Sequence, residues 1–255
     1  MRMPCMRLLP FWFLLLALSP ATVTSAEEAV TFTATTPTHR TALLELFTSE
    51  GCSSCPPADA LLAELGRSLP ADKLVPVAFH VDYWDELGWK DPFADHRYSE
   101  RQRRYADLHR ARVVYTPQFL LGGATLRPVS LLEERLTTLN AEPSPRQIHL
   151  SATLQPPRPV ELRWHVEPAL SSEHRLVVLL TENGLESAVD AGENRGRRLR
   201  HEHVVRALES HRDSRGSTTL PLPPGSHPDR LAVVVFVETA TGRVEQALRL
   251  PLHRK

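Results

Sequence analysis

The chain has 255 residues, 42% hydrophobic and 24% charged, with 30 basic and 30 acidic side chains for a formal net charge of zero. This composition excludes a disordered chain and leaves room for two domains of ordinary size. The even charge balance gives no global reason to expect nucleic acid or an acidic membrane as partner.

The chain opens with Arg2 and Arg7, continues through an almost wholly apolar run from Leu8 to Leu18, and offers small residues at Thr24-Ser25-Ala26. These are the parts of a secretory signal peptide, residues 1–26, with cleavage after Ala26. Pro10 interrupts the run, which is shorter than the roughly 20 residues needed to cross a bilayer. No stable membrane insertion is expected after signal removal, and the mature chain is expected to be exported, either periplasmic or secreted. Cys5 leaves with the signal, so only Cys52 and Cys55 remain.

Thr41 to Thr48 reads as a strand and Ala58 to Leu65 as a helical pattern; Gly51-Cys52-Ser53-Ser54-Cys55-Pro56-Pro57 lies between them. Unpaired amides and partial positive charge at a helix start favour thiolates. Two cysteines at this spacing suit attack by one sulfur and resolution by the other. The alternatives are a metal pair, with a soft ion such as Cu(I) and His80 as an added ligand, or an inert bridge. A bridge closing so short a loop stabilises little. Pro56-Pro57 argues that the helix starts near Pro56, which leaves Cys52 ahead of it and weakens activation by the helix dipole.

Lys73 to Asp82 reads as a buried strand that ends in polar residues, parallel to the first, so His80, Asp82 and Asp85 share a sheet edge with Cys52. Trp84, Trp89 and Phe93 belong to an insertion expected to pack over the sheet. Ser99 to His109 reads as a helix, with Ser99 and Gln102 as a capping box. Arg97, Arg101, Arg103, Arg104, Arg110 and Arg112 read mostly as a solvated face. Thr116-Pro117 opens a short apolar strand that turns back at Gly122-Gly123. Ala124 to Arg127 is its hairpin partner, and Ser130 to Leu139 a helix with Ser130 and Glu133 as a second capping box.

This order, a Cys-x-x-Cys after the first strand followed by a second strand, a helix and a Thr-Pro strand, resembles the thioredoxin fold. The resemblance implies a cis Pro117 that completes a catalytic set with Cys52 and Cys55. It also implies substrate contact by Thr116 and, beside it, by Tyr115 and His80. More closely, Glu45 to Asp59 (ELFTSEGCSSCPPAD), Phe79 to Asp85 (FHVDYWD) and Val114 to Gln118 (VYTPQ) resemble an exported bacterial family of unknown function within the thioredoxin-like superfamily. That family implies a fold and no established substrate. Gly51 stands where thioredoxin has tryptophan.

Residues 141–147 have a linker's composition. Beyond them Ile148 to Leu154 and Val160 to Val166 alternate, Leu176 to Leu180 and Leu231 to Val237 are denser apolar runs, and Ser217 to Leu222 and Val244 to Leu250 add further strands. Turn signals between them point to a small antiparallel β-sandwich over 148–255. In Gly192 to Arg206, His201 and His203 would share one side of a strand and could chelate a metal, but no third ligand is near. A folded basic loop, or a surface docking on the first domain or a partner, is the plainer reading.

The expected protein is therefore an α/β thioredoxin-like domain (27–140, a central mixed sheet flanked by helices) joined to a β-sandwich. It is expected to exchange disulfides with protein thiols in the exported compartment and to need no dissociable cofactor. The alternatives are copper binding by the same cysteines and a non-catalytic binding module with a structural disulfide.

Overall fold

The computed structural model describes residues 28–253; the expected signal peptide and Cys5 lie outside them. The first half runs β1 (Val30–Thr35), β2 (Ala42–Thr48), α1 (Pro56–Ser68), β3 (Leu74–His80), α2 (His96–Leu108), β4 (Gln118–Leu121), β5 (Ala124–Thr125) and α3 (Leu132–Ala141). Apart from a 3-10 turn at Pro228–Arg230, the regular elements of the second half are strands: β6 (Gln147–Leu154), β7 (Val160–Glu167), β8 (His174–Glu182), β9 (Leu185–Ala188), β10 (Arg198–His201), β11 (Val204–His211), β12 (Arg215–Leu220), β13 (Leu231–Thr239) and β14 (Val244–Pro251). This is a mixed α/β protein with large sheets and few helices. Among the described residues no helix is long and apolar enough to cross a membrane.

The two halves share their sheets. One eight-stranded sheet has the order β14-β13-β8-β11-β3-β2-β4-β5, and a four-stranded sheet has the order β1-β6-β7-β12. The join is the parallel pairing of β11 with β3 through Val204 and Ala78. Conversely, β1 leaves the first half and pairs antiparallel with β6. The division into 27–140 and 148–255 expected from the sequence is thus not a division between sheets. The linker joins α3 to β6, but the expected sandwich uses a first-half strand as its edge.

Burial explains the two kinds of apolar pattern. Strands β6 and β7 alternate because one of their faces meets solvent, whereas β2, β3 and most of β13 are buried at every position because both faces are covered. Helices α1 and α3 pack against Leu44, Leu46, Ala78 and Phe119 on one face. On the other, Tyr98 and Tyr105 of α2 lie against Phe47 and Phe79 of the first half and Val234 and Phe236 of the second. Helix α2 therefore spans the seam between the halves.

A buried ionic knot fixes it there. Arg101 donates to Glu45 on β2 at 2.7 Å and to Glu238 on β13 at 3.0 Å. Arg104 and Arg175 also reach Glu238. Three guanidiniums hold Glu238 down at about 2 despite its burial. Arg101 thus departs from the expected solvated face, which Arg97, Arg103, Arg110 and Arg112 do occupy.

Neither capping box forms. Asp95 caps α2 by accepting from Arg97 N, while Ser99 donates to Asp82 and Gln102 donates to Tyr115 O and Gln118 Oε1. Helix α3 starts at Leu132, out of a short 3-10 turn, with no side-chain cap.

Candidate functional site

Cys52 and Cys55 form a disulfide, with their Cα atoms 5.5 Å apart, on the loop between β2 and α1. The helix takes Pro56 and Pro57 as its first two residues, so Cys52 lies outside it and those positions offer no N–H to a sulfur. The polar neighbour of the Cys52 sulfur is instead the Ser54 hydroxyl, at 3.3 Å. Cys52 is 1% exposed and Cys55 0%. The sulfurs expected to be open to visitors are therefore covered.

The second half docks on the backbone of the same loop. The buried Asn194 amide donates to Glu50 O at 2.8 Å and to Cys52 O at 3.0 Å, and the Glu193 carboxylate accepts from Ser53 N at 2.9 Å. The basic segment thus docks on the cysteine loop. It does not pair His201 with His203: β10 ends at His201, and His203 sits in the following turn at φ +59. The two rings consequently go to different places, which corrects the one-sided histidine pair expected from the sequence.

Next to the disulfide is a buried cluster of charge. Glu50 receives Trp89 Nε1 at 2.8 Å and lies 2.9 Å from His201 Nε2. Asp91 accepts from Glu50 N at 2.9 Å and from Phe93 N at 2.9 Å, and lies 2.7 Å from His80 Nδ1. His80 and His201 meet edge to face with ring centroids 4.8 Å apart, and Phe93 packs on both. Asp59, on α1, is 3.9 Å from His201 Nδ1.

Burial works against charge on His80, but the Asp91 carboxylate overrides it and raises the pKa, while His80 in turn lowers that of Asp91. That pair is ionic. Burial raises the pKa of Asp59, with His80 and His201 only partly opposing it. His80 Nε2 and His201 Nδ1 have no hydrogen-bond partner among the described residues. Asp59 and His201 also line a cleft of about 440 Å³ rimmed by Arg67, Arg197 and Arg200, which connects the cluster to the surface.

The residues picked out by the sequence are therefore distributed unevenly. His80 is wholly buried with one nitrogen held by Asp91. The Thr116-Pro117 peptide is cis. Thr116 Oγ1 accepts from Trp84 Nε1 at 2.8 Å, and a Cβ on Gly51 would lie 2.9 Å from Trp84 Cβ. Trp84 thereby ties the start of the Thr-Pro strand to the cysteine loop. Tyr115 is half-buried and its carbonyl is held by Gln102. Glu50, Asp59, Asp91 and Asn194 were not singled out from the sequence, and Trp89 was read only as packing. Their available signal was the acids placed directly against the cysteines and the first apolar strands.

Fold and site together define a mixed α/β protein built round a covered disulfide and an internal cluster of histidines and carboxylates. The chain belongs to the family described as Protein of unknown function (DUF1223), whose model matches residues 43–238. It is similar to the X-ray crystal structure of protein AGR_C_4864 from Agrobacterium tumefaciens, with TM-score 0.63 and 25% identity over 85% of this chain and 96% of that one. It is also similar in fold to HBP35 of Porphyromonas gingivalis, with TM-score 0.58 and 16% identity over 85% and 76% of the two chains. No curated protein matches it.

Proposed function

We propose that β2 to α3 form a thioredoxin-like unit and that Cys52-Cys55 exchanges disulfides with cysteines of other exported proteins. The observation that carries this reading is the placement of the disulfide between a strand end and a helix start, against a buried cluster that can hold and move protons. A partner thiolate attacks Cys52 Sγ, the Cys52–Cys55 bond breaks, and Cys55 leaves as a thiolate. A second partner thiolate then attacks the mixed disulfide and releases Cys52. The pair gains two electrons and the partner dithiol becomes a disulfide; the reverse sequence reduces a partner disulfide to the dithiol.

Asp59 lies one helical turn beyond Cys55 on the same face, and its raised pKa suits it to give the leaving sulfur a proton and take it back. Pro117, Thr116 and Tyr115 would lie along the bound partner strand. Because the sulfurs are covered, exchange requires the segment around Asn194 to lift first.

Cys55→Ala leaves Cys52 with no resolving partner. Incubated with a reduced, then mildly oxidised mixture of exported proteins, it should accumulate mixed disulfides that Cys52→Ala does not. If no adduct forms, and the native disulfide resists dithiothreitol until the protein unfolds, exchange is excluded. The burial of both sulfurs favours a second reading, a structural bridge that locks the cysteine loop, and that same resistance is its expected result.

A further inference from the structure

The outer face of the four-stranded sheet carries a row of polar side chains in strict register. Thr35 on β1 is opposite His149 on β6, His149 is opposite His165 on β7, and His165 is opposite Arg215 on β12. Glu167 is two residues beyond His165 and so emerges on the same face. One ligand atom from each of His149, His165 and Glu167 can be chosen so that all three lie within 4.8 Å of one another. Among the described residues this is the group with that property. We propose that these three side chains bind a borderline divalent transition-metal ion of the Zn²⁺ or Cu²⁺ class.

The donor set fits such an ion. Two imidazoles and a carboxylate suit Zn²⁺, Cu²⁺ or Ni²⁺, and are poorly matched to the all-oxygen preference of Ca²⁺ and Mg²⁺. Zinc–nitrogen bonds of about 2.0–2.1 Å place tetrahedral ligand atoms about 3.3 Å apart, so small side-chain rotations close the set. His165 Nε2 is already 3.4 Å from Glu167 Oε1. The two rings stand nearly parallel, with centroids 5.8 Å apart, on adjacent strands that cannot drift relative to each other.

Two neighbours tune the site. Thr35 Oγ1 lies 3.1 Å from His149 Nδ1, and when that nitrogen donates to the hydroxyl the Nε2 lone pair is free for the ion. Arg215 Nη2 lies 3.1 Å from His165 Nε2. The guanidinium therefore stands against the His165 nitrogen that would ligate the ion, and it must swing away on binding. A surface depression of about 630 Å³, lined by Thr35, His149, His165 and Arg215, leaves the outward positions open to water or to a further ligand. Three protein ligands with an open side describe an exchangeable ion, not one that builds the fold. The site is separate from the cysteines.

The test is titration calorimetry of Zn²⁺ into the untagged full chain, with Cys52-Cys55 kept oxidised and Cys5 alkylated so that no thiol competes. The wild type should bind one ion. His149→Ala, His165→Ala and Glu167→Gln should each weaken binding by at least about tenfold, while Arg215→Ala should tighten it. These residues face outward, so circular dichroism should show the variants folded. The Cu²⁺ complex should show nitrogen hyperfine splitting from two imidazoles in its electron paramagnetic resonance spectrum, falling to one in His149→Ala. No saturable binding, or wild-type affinity in His149→Ala and His165→Ala, overturns the proposal.

Discussion

His201 Nε2 and Glu50 Oε1 lie 2.9 Å apart inside the protein, although 151 positions separate the two residues in the chain. With the Asn194 amide, this contact holds the second-half cover on the cysteine loop. Each buried bond of this kind costs about 1–3 kcal/mol when one partner is left unsatisfied. Asn194→Ala should therefore speed reduction of Cys52-Cys55 by dithiothreitol by about five- to a hundredfold. The rate is followed by thiol alkylation and mass spectrometry, and an unchanged rate means the cover does not limit access.

Arg101→Met removes the cation that Glu45 and Glu238 share. Removing one member of a buried ion pair costs about 3–5 kcal/mol because a charge is left without a counterpart. Urea unfolding should show a loss of that size, whereas Arg103→Met, on the exposed face of the same helix, should change stability by less than about 0.5 kcal/mol. Equal effects would contradict the knot.

Gly66→Ala should destabilise, against helix propensity, which favours alanine by about 1 kcal/mol. A Cβ there would sit 2.1 Å from His203 Nε2. Thermal melts of Gly66→Ala and of Gly66→Ala with His203→Ala decide it: the double variant should recover part of the loss.

His203 supplies a pH dependence. Burial, with Arg249 and Arg67 nearby, lowers its pKa from 6.5 to about 3. Above pH 6.5 neither state holds the proton. Below it the unfolded chain takes one up and the folded chain does not, so stability falls as pH drops from 6.5 toward about 3. At pH 5 the loss is about 2 kcal/mol. Between pH 7 and pH 5, urea unfolding should show the wild type losing about 2 kcal/mol more stability than His203→Gln.

The strands and helices of the first half were legible because their apolar runs are bounded by proline, glycine and charge. The disulfide loop was legible from its spacing. What could not be read was which charges go inside. Glu45 interrupts an apolar strand, and its partners Arg101, 56 positions away, and Tyr105, 60 positions away, make its burial tolerable. Ser99 with Gln102 had the spacing of a cap, but both side chains were recruited by neighbours distant in sequence. The merging of the sheets depends on one register, Val204 to Ala78, that no local pattern encodes.

The pairing of β1 with β6 bears on the order of assembly. Its ladder partner begins at Gln147, so the strand that leaves the ribosome before all the others described has nowhere to dock until everything through β6 has been made. During that interval its alternating apolar side chains, Phe32 and Ala34 among them, stay uncovered, and the nascent chain carries an unpaired ribbon ahead of its core.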